Sequence, residues 1–328
     1  MIHFGKCEQI LPTLGESSAD SVVTDPPYGL GTREPTAEEL DRYLSSGGSL
    51  DTGGDFMGKD WEIPSVLVWK ECFRVLKPGR LLLSFAGTRT VDLISLGIQA
   101  AGFRKLGELL WVHGQGFPKG GNVSKAIDKL KGVTPTIVGP DPEAKRRNKK
   151  SPRFNGQDYA NGTVWQGATD VPLTEPATEE ALLWEGWGTQ LKPAWEPILV
   201  FSKGEPERSI DFTTPFFYCS KASKSETTLK GEIENDHPTK KPLKLMRHLV
   251  RLASRPGELV LDPYLGSGTT AEACVHEGVS FVGIEKDPKF HAIASRRLAF
   301  VRAEVNSLQG QRDVLDLALS LGDDPEVW

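Results

Sequence analysis

ELVLDPYLGSGTTAEAC, residues 258–274, is the stretch whose reading decides the fold. An apolar run ends at Asp262, a turn with Gly266 and Gly268 follows, and Thr269–Thr270 opens a helical pattern that closes on Gly278. Glycines in such a turn let the backbone approach a ligand, and a helix N-terminus offers amide donors that have no partner inside the helix. The turn has neither the lysine of a phosphate-binding loop nor the GxGxxG spacing, which argues against a nucleoside triphosphate. The next apolar run, SFVGIE (280–285), ends in Glu285, an acid placed to accept hydrogen bonds from ribose hydroxyls. Strand, glycine turn, helix, strand, acid is the pattern of a nucleoside-cofactor site at the carboxyl edge of a sheet. A plain tight turn would use the same glycines, so the stretch needs company.

Working outward, short apolar runs alternate with helical patterns, as in a parallel sheet with crossover helices. Strands are expected at 2–5, 21–25, 80–86, 106–113, 197–202, 258–262 and 280–285. Helices are expected at 66–76, stopping at Pro78 and Gly79, and at 242–254 and 269–278. With 25% charged and 38% hydrophobic residues over 328 positions, the chain has the composition of an ordinary globular protein. Cys7, Cys72, Cys219 and Cys274 form no CxxC pair, which argues for reduced thiols in a cytosolic protein and against a zinc site. The first residues lack a secretory pattern, and no stretch approaches the ~18 apolar residues of a membrane span.

Two regions break the rhythm. Residues 30–60, rich in glycine and charge, read as a long mobile loop, and residues 114–192 are polar with little periodicity. The net charge is -5, yet Lys119 to Asp158 holds ten Lys/Arg and four Asp/Glu, while Glu304 to Trp328 holds six acids and one arginine. A basic insert and an acidic tail are thus concealed in the total. A charge run is commonly just a solvated face, so this patch too needs support.

Support comes from SVVTDPPYGL (21–30) and HPTKKP (237–242). Asp25, Pro26, Pro27 and Tyr28 crowd the end of a strand, where a simple turn would not require two prolines and a ring. His237 and Thr239 precede a helix start, where they could cap it or contact a ligand. Together with 258–274, with FRVLKPGRLLLSFAGTRT (73–90) and with WGTQLKPAWEPILVFSK (187–203), these segments resemble the amino-group DNA methyltransferases that use S-adenosylmethionine to modify adenine N6 or cytosine N4. The resemblance covers almost the whole chain. The catalytic motif precedes the cofactor motif, an order similar to the family's β class.

The resemblance implies a permuted seven-stranded, Rossmann-like methyltransferase sheet with helices on both faces, in which residues 2–6 lie beside 280–285. It implies a division into a catalytic half (1–113), an inserted target recognition region (114–192), the cofactor-binding remainder (193–303) and a tail (304–328). It assigns catalysis to Asp25, Pro26, Pro27 and Tyr28. Cofactor contacts fall to Cys7, Asp25, His237, Thr239, Lys241, Asp262, Tyr264, Gly266, Ser267, Gly268, Thr269, Thr270, Glu285 and Lys286. The family often carries Gly-Asp after the first strand, but here the pair is Gly5–Lys6, which leaves Glu8 as a candidate for the missing acid.

An exocyclic base amine is a poor nucleophile because its lone pair is delocalised into the ring. An ionised carboxylate accepts only, so Asp25 can take one amine hydrogen, and a carbonyl held by the fixed φ of Pro26 or Pro27 can take the other. Tyr28 offers a face for the base. A stacked base cannot reach such a pocket and would have to be flipped out of the duplex, closed over by 30–60 and read by the insert. Lys145, Arg146, Arg147, Lys149, Lys150 and Arg153 would contact phosphates. In the family Asp at the first catalytic position leans toward adenine and Ser toward cytosine. N4-cytosine methylation is the nearest rival, followed by RNA or a protein amide as substrate, or an inactive DNA-binding homologue. The expected partner is double-stranded DNA. A cognate restriction endonuclease and a homodimer are further partners that the family suggests, and the expected setting is the cytoplasm of a bacterium, with the gene bacterial or phage-borne.

Overall fold

The computed structural model describes residues 1–29, 31, 33–53, 62–114, 122–140, 157–158, 163–164, 172–188, 194–207, 215–235, 237 and 239–322. The chain divides into two compact units, Met1–Gln115 with Trp195–Trp328, and Gly116–Ala194.

The first unit is built on one sheet. In chain order its first strands are β1 (Ile2–Phe4), β2 (Ala19–Thr24), β3 (Leu76–Phe85) and β4 (Arg104–Val112). In the second unit β5 (Thr136–Pro140) pairs antiparallel with β8 (Pro172–Glu175), and β6 (Gln157–Asp158) with β7 (Thr163–Val164). The first unit resumes with β9 (Trp195–Ser202), β10 (Phe216–Tyr218), β11 (Leu259–Asp262) and β12 (Ser280–Glu285). Its sheet order is β1-β12-β11-β2-β3-β9-β4-β10. All neighbours run parallel except β9, which is antiparallel to both β3 and β4. Residues 2–4 pair with 283–285, as the permuted order requires.

Both faces of this sheet are covered, which is why its strands read as nearly continuous apolar runs. Side chains alternate across it: Val22, Leu82, Leu199 and Phe201 join one core with Trp69, Cys72, Ile94 and Ile98 from the Val66–Val75 and Val91–Ala100 helices. Val23, Leu83, Ile198 and Val200 join the other, with Leu245, Leu249 and Ala294 from helices Leu243–Ala253 and Pro288–Gly322. At the amino end of β2, Asp20 is held below the usual carboxylate range: burial opposes ionisation, but Lys77, the Leu259 amide and Arg80 outweigh it. That cluster lies at the opposite end of the strand from Asp25.

Two expectations change. The sheet has eight strands rather than seven, because the three-residue edge strand β10 adds to β4. Three residues are too few to show a period. Residues 30–60, read as loop, contain the helix Ala37–Ser46, started by a capping box in which Thr36 and Glu39 bond each other's backbone amides. Tyr43 anchors it: 1% exposed, it lies over Gly97, where any Cβ would sit 2.0 Å from its hydroxyl, and that hydroxyl donates to the Pro64 carbonyl.

The second unit has its own small core of polar bonds. Asn122 caps the Val123–Leu130 helix through the Lys125 amide. Asp128, 1% exposed, accepts from the Ala177 and Thr178 amides and the Thr178 hydroxyl, which starts the Glu179–Leu183 helix. The six basic residues between Lys145 and Arg153 lie outside the described residues.

Candidate functional site

The carboxyl ends of β2, β11 and β12 bring three of the expected acids together. Asp262, 2% exposed, accepts from the Thr24 hydroxyl at 2.7 Å and from the Tyr264 amide at 3.0 Å. Burial pushes its carboxyl up to about 6, with those bonds and the Thr270 hydroxyl pulling the other way. Glu285 accepts from the Gly266 amide at 2.8 Å and the Asp287 amide at 2.7 Å, and burial raises it as well.

The turn between β11 and the Thr269–His276 helix is shaped by its glycines. Gly266 has φ +56°, and a Cβ there would meet His237 Nε2 at 3.0 Å. Gly268 has φ +87°, and a Cβ there would press 3.0 Å from the Ala294 backbone. Both positions combine a left-handed backbone with a close neighbour, so only glycine suits them. Ser267, Thr269 and Thr270 are buried in the same turn. His237 packs its ring 4.4 Å from Phe290 and accepts from the Thr239 amide at Nδ1, while Thr239 itself is exposed. Cys7 begins the Cys7–Ile10 helix; burial holds its thiol up to about 12, and it donates to the carboxylate of Glu8. The Tyr264 phenol is raised far above its ordinary value by burial, with Cys7 as its neighbour. Lys286 is exposed just past Glu285.

The second cluster surrounds Asp25, one residue past β2. Its Oδ1 accepts from the Tyr28 hydroxyl at 2.7 Å, and its Oδ2 from Lys241 Nζ at 2.6 Å. Glu196, in β9, has Oε2 3.1 Å from the Tyr28 hydroxyl and 3.4 Å from Lys241 Nζ. The lysine side chain is 6% exposed and its ammonium lies over the rings of Phe85 at 4.8 Å and Tyr28 at 5.3 Å. Burial drives Lys241 down, but Asp25 and Glu196 outweigh it and hold it protonated. Burial raises the Asp25 carboxyl, opposed chiefly by Lys241. The carbonyls of Tyr28 and Gly29 accept from the hydroxyls of Thr90 at 2.6 Å and Thr52 at 2.7 Å, which fixes the chain beyond Pro26 and Pro27.

Lys241, expected at the cofactor, is thus bonded to the two carboxylates of this second cluster. Thr24 and Glu196 escaped the reading of the sequence. The available signal for Glu196 was an acid immediately before the apolar run PILVFS (197–202).

A mostly parallel, two-faced sheet with a glycine turn and an acid at successive strand ends defines a nucleoside-cofactor-binding α/β fold. A family model described as DNA methylase matches residues 19–296. Type II methyltransferase M.HpaI of Haemophilus parainfluenzae is 25% identical over 292 residues, covering 88% of this chain and 70% of that one. Type II methyltransferase M.HinfI of Haemophilus influenzae is 21% identical over 308 residues, covering 93% and 70%. Among solved structures, PvuII DNA methyltransferase (cytosine-N4-specific) superposes with a TM-score of 0.54 at 17% identity, covering 90% of this chain and 85% of that one. The M1.HpyAVI–SAM complex superposes with a TM-score of 0.50 at 16% identity, covering 91% and 98%. At these identities the two structures show the shared fold.

The chain belongs to the N6/N4 DNA methylase family, and S-adenosylmethionine is its methyl donor. The residues present fit that group: a glycine turn leads into a helix N-terminus, and buried acids stand at the ends of two adjacent strands. Among the described residues no helix is long and apolar enough to cross a membrane, and no group of three or more His, Cys, Asp or Glu could hold a metal.

Proposed function

We propose that this DNA methyltransferase modifies the exocyclic N6 of adenine in duplex DNA, as the modification enzyme of a type II system. The observation that carries the reading is Asp25, a carboxylate at a strand end with Lys241 on one oxygen, next to the glycine turn of the neighbouring strand. S-adenosylmethionine supplies an electrophilic methyl carbon on a sulfonium. Glu285 would accept from the ribose, and Gly266, Gly268 and His237 would shape the crevice for the rest of the molecule. Asp262, Ser267, Thr269 and Thr270 would support the turn from beneath, and Cys7 and Tyr264 would wall its far side.

Asp25 would accept one hydrogen of the amine and draw the nitrogen toward tetrahedral geometry, while a carbonyl of Pro26 or Pro27 takes the second. Lys241 favours the ionised form of Asp25, which that role needs. The face of Tyr28 would stack on the base, flipped from the helix at a cost of about a few kcal/mol. The basic run Lys145 to Arg153 would hold phosphates without reading bases. The identity of Asp25, where the family's cytosine enzymes tend to have Ser, supports adenine.

Unmethylated duplex DNA treated with enzyme and cofactor, then digested to nucleosides, should contain N6-methyladenine; N4-methylcytosine as the sole product would overturn the choice of base. Asp25→Asn should lower the methylation rate by about 10²-fold or more while still binding cofactor. Wild-type methylation by that variant would overturn the role given to Asp25.

A further inference from the structure

Tyr28, Asp25, Glu196 and Lys241 close a ring of polar contacts in which the supply of hydrogens is unequal. The lysine has three, enough for both carboxylates. The tyrosine has one, and two carboxylate oxygens lie within reach of it, at 2.7 and 3.1 Å. The shorter of the two contacts is the one to Asp25 Oδ1, the geometry that favours this oxygen for the hydrogen. An oxygen that already receives a short bond is a weaker acceptor for a second donor, so the phenol competes with any amine brought to Asp25.

We propose that Glu196 is a positioning residue that takes over the hydroxyl hydrogen of Tyr28 when the substrate amine reaches Asp25 Oδ1. The inference rests on the role given above to Asp25. The exchange turns one O–H bond; no covalent bond forms or breaks, and the phenol keeps its proton. Lys241 stays on Oδ2 throughout, fixed by its shorter bond and by the rings of Phe85 and Tyr28. The surroundings favour a neutral phenol, since burial and both carboxylates raise Tyr28 far above its ordinary value. Glu196 is in turn kept ionised against its burial by Lys241 and Lys221, by the Tyr28 bond and by His113. It is therefore a ready acceptor, and Asp25 is released for the amine at no cost in unpaired groups.

The test compares Glu196→Leu, Glu196→Gln, Tyr28→Phe and the Tyr28→Phe/Glu196→Leu double variant. Single-turnover methyl incorporation is followed with enzyme in excess, tritiated S-adenosylmethionine and whole-genome-amplified, unmethylated duplex DNA, and cofactor affinity is measured alongside as a check of folding. Glu196→Leu removes the acceptor and should slow the step about tenfold or more, whereas Glu196→Gln keeps an acceptor oxygen and should stay within about threefold of wild type. In the Tyr28→Phe background, where no phenol has to be moved, the leucine substitution should cost little. If Glu196→Gln loses as much as Glu196→Leu, or if leucine costs the same in both backgrounds, Glu196 acts only as a charge beside Lys241 and the proposal falls. Should Glu196→Leu fail to bind cofactor, the comparison of Glu196→Gln with wild type still decides it: a loss of about tenfold overturns the proposal and near-wild-type rates uphold it. A fully active Asp25→Asn would instead overturn the reading of the site beneath it.

Discussion

Asp262 shows what a buried acid costs the fold that carries it. Its carboxyl titrates at about 6 because burial disfavours the charge, whereas an unfolded aspartate titrates near ~3.9. The folded state therefore holds a proton that the unfolded state has released, and stability falls as pH rises from about 4 to about 6. Above that window the ionised group is a standing cost of at most about 3 kcal/mol. Asp262→Asn, which can still accept from Thr24 and the Tyr264 amide, should raise the melting temperature at pH 7.5 and leave it nearly unchanged at pH 4. Equal gains at both pH values would show that charge burial is not the cause.

At the scale of elements, the buried pair of Arg297 and Glu272 ties the helices Pro288–Gly322 and Thr269–His276 together. Arg297 donates to Glu272 at 2.5 Å and to the Thr227 carbonyl at 2.9 Å, and both side chains are at most 5% exposed. Removing one partner strands the other, so Arg297→Leu should cost about 3–5 kcal/mol in denaturant unfolding, and adding Glu272→Leu should recover a large part of it. The strands were legible because a sheet buried on both faces needs apolar residues on both sides of each strand, as in RLLLSFA and ELVLD. The glycine turn and the acids at strand ends followed from the same runs. The helix Ala37–Ser46 was hidden for the opposite reason: its residues are mostly polar, and what secures it is Tyr43 over Gly97, a contact between distant segments. TAEE, its capping box, was the local clue. Lys241 meets Asp25 across 216 positions, a pairing that local pattern cannot contain.

On the scale of the molecule, the insertion point is set by sheet register. Val112, the last residue of β4, pairs with Trp195, the first of β9, in an antiparallel ladder. The chain therefore leaves the sheet and returns to it at facing positions, with Gly116–Ala194 between them. A short hairpin turn can join the same two residues. Replacing 114–193 by such a turn should leave a protein that binds S-adenosylmethionine with near-native affinity, measured by calorimetry, and that no longer methylates DNA. Loss of cofactor binding would mean that the first unit depends on the second. A sheet that carries an insert between two facing strand ends can exchange that insert without rebuilding the core beneath it.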